Sequence, residues 1–171
     1  MYTYEIEHDD WAYSFEDIYG DTPLKIGYLD RSRYVLGTER MDSDEMEYIE
    51  SSDQYFCLPV YAYVHGGAVL ALNPFSCPFD SGRSGIIYAY KSELEKDFGK
   101  EWEAIVDKAA EYVIAAFNQY VNGDIYSVSV YKDGELLDSQ SSFLGRDCAE
   151  EWARETVGTF QHLDSVEQLQ A

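Results

Sequence analysis

The stretch covering residues 58–90 constrains the fold most, because two apolar and aromatic runs flank a connection rich in proline and glycine. The first run is dominated by β-branched and aromatic residues, and Gly66 with Gly67 then permits a tight turn. Pro59 cannot donate to a strand ladder, so we expect it at a strand start or facing a sheet edge. Strands are therefore predicted at three places, the first two forming a hairpin: residues 55–64, 68–72 and 86–90.

The clearest helical pattern lies between residues 102 and 120, where apolar side chains recur at three- and four-residue steps. Asn122 and Gly123 follow this pattern and predict the end of the helix. The side chains on the predicted buried face are Trp102, Ile105, Val106, Ala109, Tyr112, Val113, Ala116, Phe117 and Tyr120. Shorter helices are predicted behind capping residues at three places: Asp42 or Ser43, Ser92, and Asp147.

Two-residue alternation predicts the remaining strands. Residues 2–8 alternate apolar and acidic side chains, and Tyr126, Val128 and Val130 alternate with serines. The runs 124–131 and 135–143 flank Asp133 and Gly134, a strong hairpin signal. No repeat or linker interrupts the chain, and 171 residues suffice for one core. The predicted fold is a single α+β domain over residues 1–171: a mainly antiparallel sheet with one long and two to three short helices packed on it.

The charge of the chain bears most directly on function. Its 33 acidic and 12 basic residues give a formal charge of -21, whereas a magnitude of about 2 to 8 is ordinary for a small domain. This excess disfavours direct binding to DNA or anionic lipid and favours binding a protein that itself holds nucleic acid. The candidate partner-binding surface consists of acids near the N-terminus and around the first predicted helix: Glu5, Glu7, Asp9, Asp10, Asp42, Asp44, Glu45, Glu47 and Glu50.

Glu5 and Glu7 would lie on one face of the first strand. Same-face side chains along a strand are about 6.6–6.8 Å apart, a spacing that resembles that of phosphates along a nucleic-acid strand. The sequence thus suggests DNA mimicry, in which carboxylates take the place of phosphates. A solvated outer face of an edge strand explains the same acids, and a charged solvated helix explains those of residues 42–50.

A second candidate site is the proline- and glycine-rich connection itself. Cys77 is a possible nucleophile, with His65 as base, Asp80 as the orienting carboxylate and Ser81 beside it. Residues 80–85 also look like an anion-binding loop, although they lack the lysine of a P-loop. Burial of the thiol and an Asx turn are the structural alternatives. The alternative function is a small-molecule or nucleotide-binding protein, or a cysteine hydrolase.

No motif in the sequence names a reaction, a cofactor or a metal ion. The three cysteines, Cys57, Cys77 and Cys148, are widely spaced and odd in number, which is typical of a reducing cytosol rather than a disulfide framework. The N-terminus has no secretory pattern, and no apolar run approaches the length of a membrane span. We therefore expect a soluble, non-enzymatic intracellular protein without cofactor or metal.

The segment LPVYAYVHGGAVLALNPFSCPFDSGRSGIIYAYKSELEKDFG, with YVLGTE before it, resembles the middle of a family of small, largely uncharacterised proteins of phages, prophages and plasmids. Members of that family resemble this chain in a short strand, a His-Gly or His-Ser-Gly turn, a PFSCPWDSG loop and a helix that ends near Phe-Gly. Phe79 stands here where tryptophan is usual, and the N-terminal third departs further.

This resemblance implies a mobile-element protein of the host bacterial cytoplasm and assigns no activity. By analogy, small and strongly acidic proteins in that setting resemble anti-restriction or anti-CRISPR inhibitors. Charge and resemblance together favour an inhibitor that evades host defence through protein–protein interaction with a nucleic-acid-binding defence protein. A host-takeover adaptor, in which charge serves only solubility, is a further alternative.

Overall fold

The structure is a computed structural model that describes residues 1–11 and 13–170, with the backbone alone for residues 167, 168 and 170. Within these residues the chain forms eight strands and five α-helices. In chain order they are β1 (Tyr2–His8), α1 (Phe15–Tyr19), β2 (Lys25–Leu29), β3 (Glu39–Met41), α2 (Ser43–Ser51), β4 (Tyr55–Val64), β5 (Ala68–Ala71), β6 (Ser81–Tyr90), α3 (Lys91–Phe98), a 3-10 turn (Trp102–Ala104), α4 (Val106–Val121), β7 (Ile125–Lys132), β8 (Glu135–Leu144) and α5 (Arg146–Gln170).

The chain divides into two compact units, one comprising Met1–Tyr19 with Gly123–Ala171 and the other Gly20–Asn122. Each unit packs helices on a sheet, and the strand pairs are antiparallel except for β2 with β3. The predicted α+β class and the mainly antiparallel pairing are therefore confirmed, but the strands form two sheets where one was predicted. That residues 1–171 act as one domain stays a prediction.

The first unit is a three-stranded sheet in the order β1-β7-β8, with α5 on one face. Alternate residues of β7, among them Val128 and Val130, are buried together with Ala149 and Ala153 of α5. This burial confirms the alternation read from the sequence. It also leaves the intervening residues of β1 and β7 on the face turned away from α5.

Local turn chemistry sets the β7–β8 hairpin as predicted. Asp133 and Gly134 have φ angles of 53° and 88°, the positive values that a two-residue type I′ turn requires.

The last helix differs from prediction: it begins at Arg146, so Asp147 lies inside the first turn, and its 25 residues make it the longest helix described. The five-residue α1 was not predicted, because so short a helix shows no periodic pattern.

The second unit is a five-stranded sheet in the order β3-β2-β6-β4-β5. The central strand β6 is buried on both faces: Ile86 packs with Met46 and Ile49 of α2, and the next residue, Ile87, is fully buried on the opposite face. The predicted helix at residues 42–50 is thus confirmed as α2, with Met46 and Ile49 buried.

Strand β6 begins five residues earlier than predicted, so residues 81–85 form strand and not an anion-binding loop. Ser81 pairs with Tyr63 of β4, and Gly85 pairs with Tyr28 of β2. A Cβ at Gly85 would lie 1.8 Å from the carbonyl oxygen of Gly27. The glycine therefore permits a close approach of two strands, a role that sequence alone does not distinguish from a turn.

Helix α3 also begins earlier than its predicted capping box. Tyr55 pairs with Tyr90 at the end of β6, and the N–H of Lys91 donates to the carbonyl of Gln54 at 3.0 Å. The helix follows this last pairing directly, which places Ser92 inside it. Gly99 ends the helix with a φ of 85°, as predicted.

The helix predicted from residue 102 divides into a 3-10 turn and α4, which ends at Asn122 as expected. Val106, Val113, Ala116 and Phe117 of the predicted face are buried, as expected. Ala110 and Ile114 are buried, whereas Ile105 and Tyr112 are 44% and 60% exposed.

Asn118 of α4 and Asn122, the residue that caps its C-terminus, cover the free edge of β5. The side chain of Asn118 accepts from the N–H of Leu70 at 2.7 Å and donates to its carbonyl at 2.9 Å. Asn122 does the same with Ala68, at 3.3 Å and 2.8 Å. Strand β5 pairs only with residues 61–64 of β4, so Pro59 lies where β4 itself is an edge, as predicted.

Candidate functional site

The face of the three-stranded sheet turned away from α5 carries carboxylates and hydroxyl groups. Glu5 pairs with Ser129, and Glu7 pairs with Ser127, so these four side chains point to one side of the sheet. Both glutamates are exposed. Glu5 accepts a hydrogen bond from the hydroxyl of Tyr131 at 3.2 Å, and neither glutamate forms an ion pair within the described part of the chain.

The basic side chains of this unit are held elsewhere. The unit contains sixteen of the acidic and three of the basic residues, a formal charge of -13. Lys132 forms an ion pair with Asp164 at 2.7 Å, while Arg146 and Arg154 pair with Glu150 at 3.2 Å and 2.9 Å. Both carboxylates belong to α5. The cations therefore offset charge on the helix and not on the opposite face of the sheet.

A cleft of about 460 Å³ continues this face beyond the end of β1. Glu7, Asp10 and Ser127 line it, together with Trp11, which is 78% exposed. An exposed indole beside carboxylates suits an ammonium or guanidinium group, because both the aromatic ring and the carboxylate attract a cation. We refer to six residues as the acidic face: Glu5, Glu7, Asp10, Trp11, Ser127 and Ser129.

Sequence reasoning did not single out Trp11. The signal in the sequence was that Trp11 directly follows Asp9 and Asp10 in a stretch that contains no lysine or arginine. An aromatic residue inside an acidic run is ambiguous in sequence, because the same pattern fits a core side chain next to a solvated turn.

Asp9 also lines this cleft but is largely withdrawn from solvent. It is 8% exposed, and its carboxylate accepts from the N–H of Trp11 at 3.2 Å, the hydroxyl of Tyr13 at 3.2 Å and the N–H of Ser142 at 3.1 Å. Its own N–H donates to the carbonyl of Ile125 at 2.9 Å. A buried carboxylate that accepts from three donors stabilises the fold, and the role of Asp9 toward a partner stays a prediction.

The second predicted acidic cluster, on α2, is partly engaged within the unit. Asp42 accepts from the N–H groups of Asp44 and Glu45 at 2.9 Å and 2.8 Å, and Glu45 accepts in return from the N–H of Asp42 at 3.0 Å. Glu50 forms an ion pair with an arginine of β6. Asp44 and Glu47 are exposed, and within the described residues their carboxylates take part in neither an ion pair nor a capping hydrogen bond.

The residues of the alternative pocket meet only in pairs. Nδ1 of His65 lies 3.6 Å from Oδ2 of Asp80, and the hydroxyl of Ser81 donates to the backbone carbonyl of Cys77. Among the residues that the structure describes, the Cys77 thiol makes no hydrogen bond with the His65 ring. The nucleophile-to-base contact typical of a thiol hydrolase is therefore not formed.

Cys57 is a thiol whose pKa is shifted. Burial, with a smaller effect of repulsion from Glu50, raises the pKa of the Cys57 thiol to about 11 against the opposing effect of Arg83. Since the thiolate is the reactive form, this environment suits a packed side chain and not a nucleophile.

A second cleft, of about 420 Å³, lies in the five-stranded unit between the segment after β2 and the start of β6. Arg31, Arg83 and Asp80 line it, and its aromatic residues Tyr34 and Phe79 are 54% and 94% exposed. The sequence prediction named Asp80 and Ser81 of this cleft as part of the alternative pocket, but not Arg31 or Tyr34, which come from a distant segment.

Within the described residues, no helix is both long enough and apolar enough to cross a membrane. Those residues also place no group of three or more His, Cys, Asp or Glu side chains where it could hold a metal ion. The chain matches no protein-family model, no curated protein and no solved structure. A function must therefore be argued from the acidic face and the clefts themselves.

Proposed function

We propose that this protein inhibits a bacterial defence system, of the restriction or CRISPR kind, by binding its nucleic-acid-binding protein through the acidic face. The observation that supports this best is the uncompensated charge: the unit with the acidic face has a formal charge of -13, and carboxylates of α5 hold its three basic side chains. A nucleic-acid groove presents Lys and Arg to phosphates. The same side chains would pair with Glu5, Glu7 and Asp10.

The geometry of β1 supports mimicry of a phosphate backbone. Glu5 and Glu7 are alternate residues of a strand that pairs along its whole length with β7, so their Cα atoms lie about 6.6–6.8 Å apart. Because the ladder already fixes the backbone, binding would order only side chains, which costs less entropy than folding a disordered acidic tail. Trp11 adds an aromatic surface for an arginine of the partner.

In the proposed mechanism the inhibitor occupies the nucleic-acid groove of the defence protein and catalyses no reaction. The inhibitor would act in the cytoplasm of the host, where a mobile-element protein meets the defence machinery. Its negative field would speed encounter with a cationic groove, and contact would exclude DNA. Both effects depend on charge, so binding is expected to weaken steeply as salt is added.

The test begins with capture of partners from a bacterial lysate on the immobilised protein at about 50 mM and about 500 mM NaCl. The captured protein is then purified and titrated in competition with double-stranded DNA. We expect capture at low salt, loss at high salt, and mutually exclusive binding of inhibitor and DNA. The variant Glu5→Gln/Glu7→Gln/Asp10→Asn should weaken affinity about tenfold or more.

A matched control removes the same charge from another exposed surface of the same unit. Asp147, Glu151 and Glu155 are exposed and follow one another at four-residue steps along α5. Their amide variant should bind within about twofold of the wild type if local contacts, and not net charge, carry affinity. A third arm, Asp44→Asn/Glu47→Gln, measures the contribution of α2.

Three outcomes would contradict the proposal. Unchanged affinity in the acidic-face variant would show that this surface is not the contact. Salt-insensitive binding, or binding that DNA does not displace, would favour the host-takeover adaptor. A catalytic turnover that Cys77→Ser abolishes would favour the thiol hydrolase, since an inhibitor does not need that thiol.

A further inference from the structure

We propose that the cleft lined by Arg31 and Arg83 binds a mononucleotide, with its phosphate on the arginines and its base on the rings of Tyr34 and Phe79. This site is separate from the acidic face and shares no residue with it. The inference rests on the aromatic rim, the arginines and the preformed walls of the cleft.

Packing within the protein does not explain why the aromatic rings of Tyr34 and Phe79, the aromatic rim of the cleft, are exposed. Phe79 is 94% exposed and Tyr34 is 54% exposed, although an apolar ring normally gains free energy from burial. Both border the same cleft. Exposed rings at a cleft edge suit a planar ligand, and every nucleobase has a face that stacks on an aromatic side chain.

The arginines supply the phosphate contact. Within the described residues Arg31 makes no ion pair or hydrogen bond, and Arg83 engages Glu50 through one nitrogen of its guanidinium. A guanidinium has five N–H donors, so Arg83 retains donors for a second anion. Asp80 offers a hydrogen-bond acceptor for a base N–H or a ribose hydroxyl, with His65 at 3.6 Å.

The walls of the cleft are held in place before any ligand binds. On one side, the Ser32 hydroxyl accepts from the N–H of Tyr34 at 3.1 Å and donates to its carbonyl at 2.9 Å. On the other, the N–H of Val64 donates to the carbonyl of Asp80 at 2.9 Å. The volume of about 420 Å³ lies in the range of about 300–1,000 Å³ that is usual for small-ligand sites.

Charge distinguishes a free nucleotide from a nucleic acid as the occupant. At physiological ionic strength, charges are screened beyond about 8 Å, so the field at the cleft is set by the charges at the cleft itself, Arg31 and Arg83 against Asp80 and Glu50. A polynucleotide would bring many phosphates against a chain of formal charge -21. The cleft therefore fits a single nucleotide unit.

The test titrates the full chain with the four ribonucleoside 5′-monophosphates by isothermal calorimetry. We expect saturable binding of one nucleotide per chain, weakened about tenfold or more by Arg31→Gln and about fivefold or more by Phe79→Ala. Removal of the phosphate, with the matching nucleosides as probes, should weaken binding to a similar degree. The control is Arg33→Gln, an exposed arginine outside the cleft lining, which should stay within about twofold of wild type.

The proposal fails if none of the four monophosphates binds at millimolar concentration. It also fails if Arg33→Gln weakens binding as much as Arg31→Gln, since that result would mean a diffuse charge effect. Tighter binding of a single-stranded oligonucleotide than of the mononucleotides would assign the cleft to nucleic acid instead. Thermal unfolding of each variant, followed by circular dichroism, confirms that the compared proteins are folded.

Discussion

Asp9 and Asp10 are adjacent in the chain but differ in what surrounds their carboxylates. Asp9 is 8% exposed and accepts from Trp11, Tyr13 and Ser142. Asp10 is exposed, and the described residues donate no hydrogen bond to its side chain. One aspartate thus joins three segments of its unit, while its neighbour is available to a partner.

We predict that Asp9→Asn lowers the free energy of unfolding by about 1–3 kcal/mol, because the amide replaces one acceptor oxygen with a donor that faces other donors. Asp10→Asn makes the same charge change one residue away and should stay within about 0.5 kcal/mol of wild type. Urea denaturation of the three proteins measures both values. Equal destabilisation by the two variants would show that charge, and not the hydrogen bonds, is responsible.

The difference between these two residues could not be read from the sequence. Burial of Asp9 depends on Ser142, which β8 brings from the other end of the chain. Alternation correctly placed Glu5 and Glu7 on one face of β1, because that relation depends only on neighbours in the strand. Side-chain identity and spacing thus predicted the charge of the candidate site, and tertiary contacts decided which carboxylates remain exposed.

At the scale of elements, signals that act within a few residues predicted structure well. Asp133 with Gly134 specified the hairpin turn, and Asp42 specified the start of α2. The start of β6 was missed because Gly85 was taken as a loop residue. It is a glycine because β6 passes close to Gly27 of β2, a residue distant in sequence. The arginine cleft was predicted only in part for the same reason: Asp80 and Ser81 were named, but nothing in the sequence indicates that Arg31 and Tyr34 lie beside them.

Helix α2 offers a direct test of a local signal. Asp42→Ala removes the acceptor for two backbone N–H groups and should cost about 0.5–2 kcal/mol of stability, whereas Asp42→Asn keeps an acceptor and should cost much less. Asp53→Ala, an exposed aspartate just after the helix, is the matched control. Urea denaturation again gives the comparison, and an asparagine variant as unstable as the alanine variant would argue against capping as the cause.

At the scale of the whole molecule, repulsion among acids must exceed attraction between ion pairs, since 33 acidic residues face only 12 basic ones. The ion pairs described are exposed at one or both partners and are therefore individually weak. Folding concentrates like charges, so the native state carries an electrostatic cost that salt should relieve.

We predict that the free energy of unfolding rises, by on the order of 1 kcal/mol, as NaCl is increased from about 10 mM to about 200 mM. The Debye length falls over this range from about 30 Å to below 10 Å, which screens repulsion across the molecule. Chemical denaturation by urea, which is uncharged, measures the change. Potassium chloride should give the same curve, and a fall in stability with salt would mean that ion pairs outweigh repulsion.

Asn118 and Asn122 give β5 the donors and acceptors that a sixth strand would otherwise provide. An extended peptide could join the sheet at this edge only by first displacing both amides from Leu70 and Ala68. The two amides thereby block strand addition at β5 by a partner or a second copy. They also protect this edge from the edge-to-edge pairing that leads to aggregation. Recognition on this side of the sheet must use side chains.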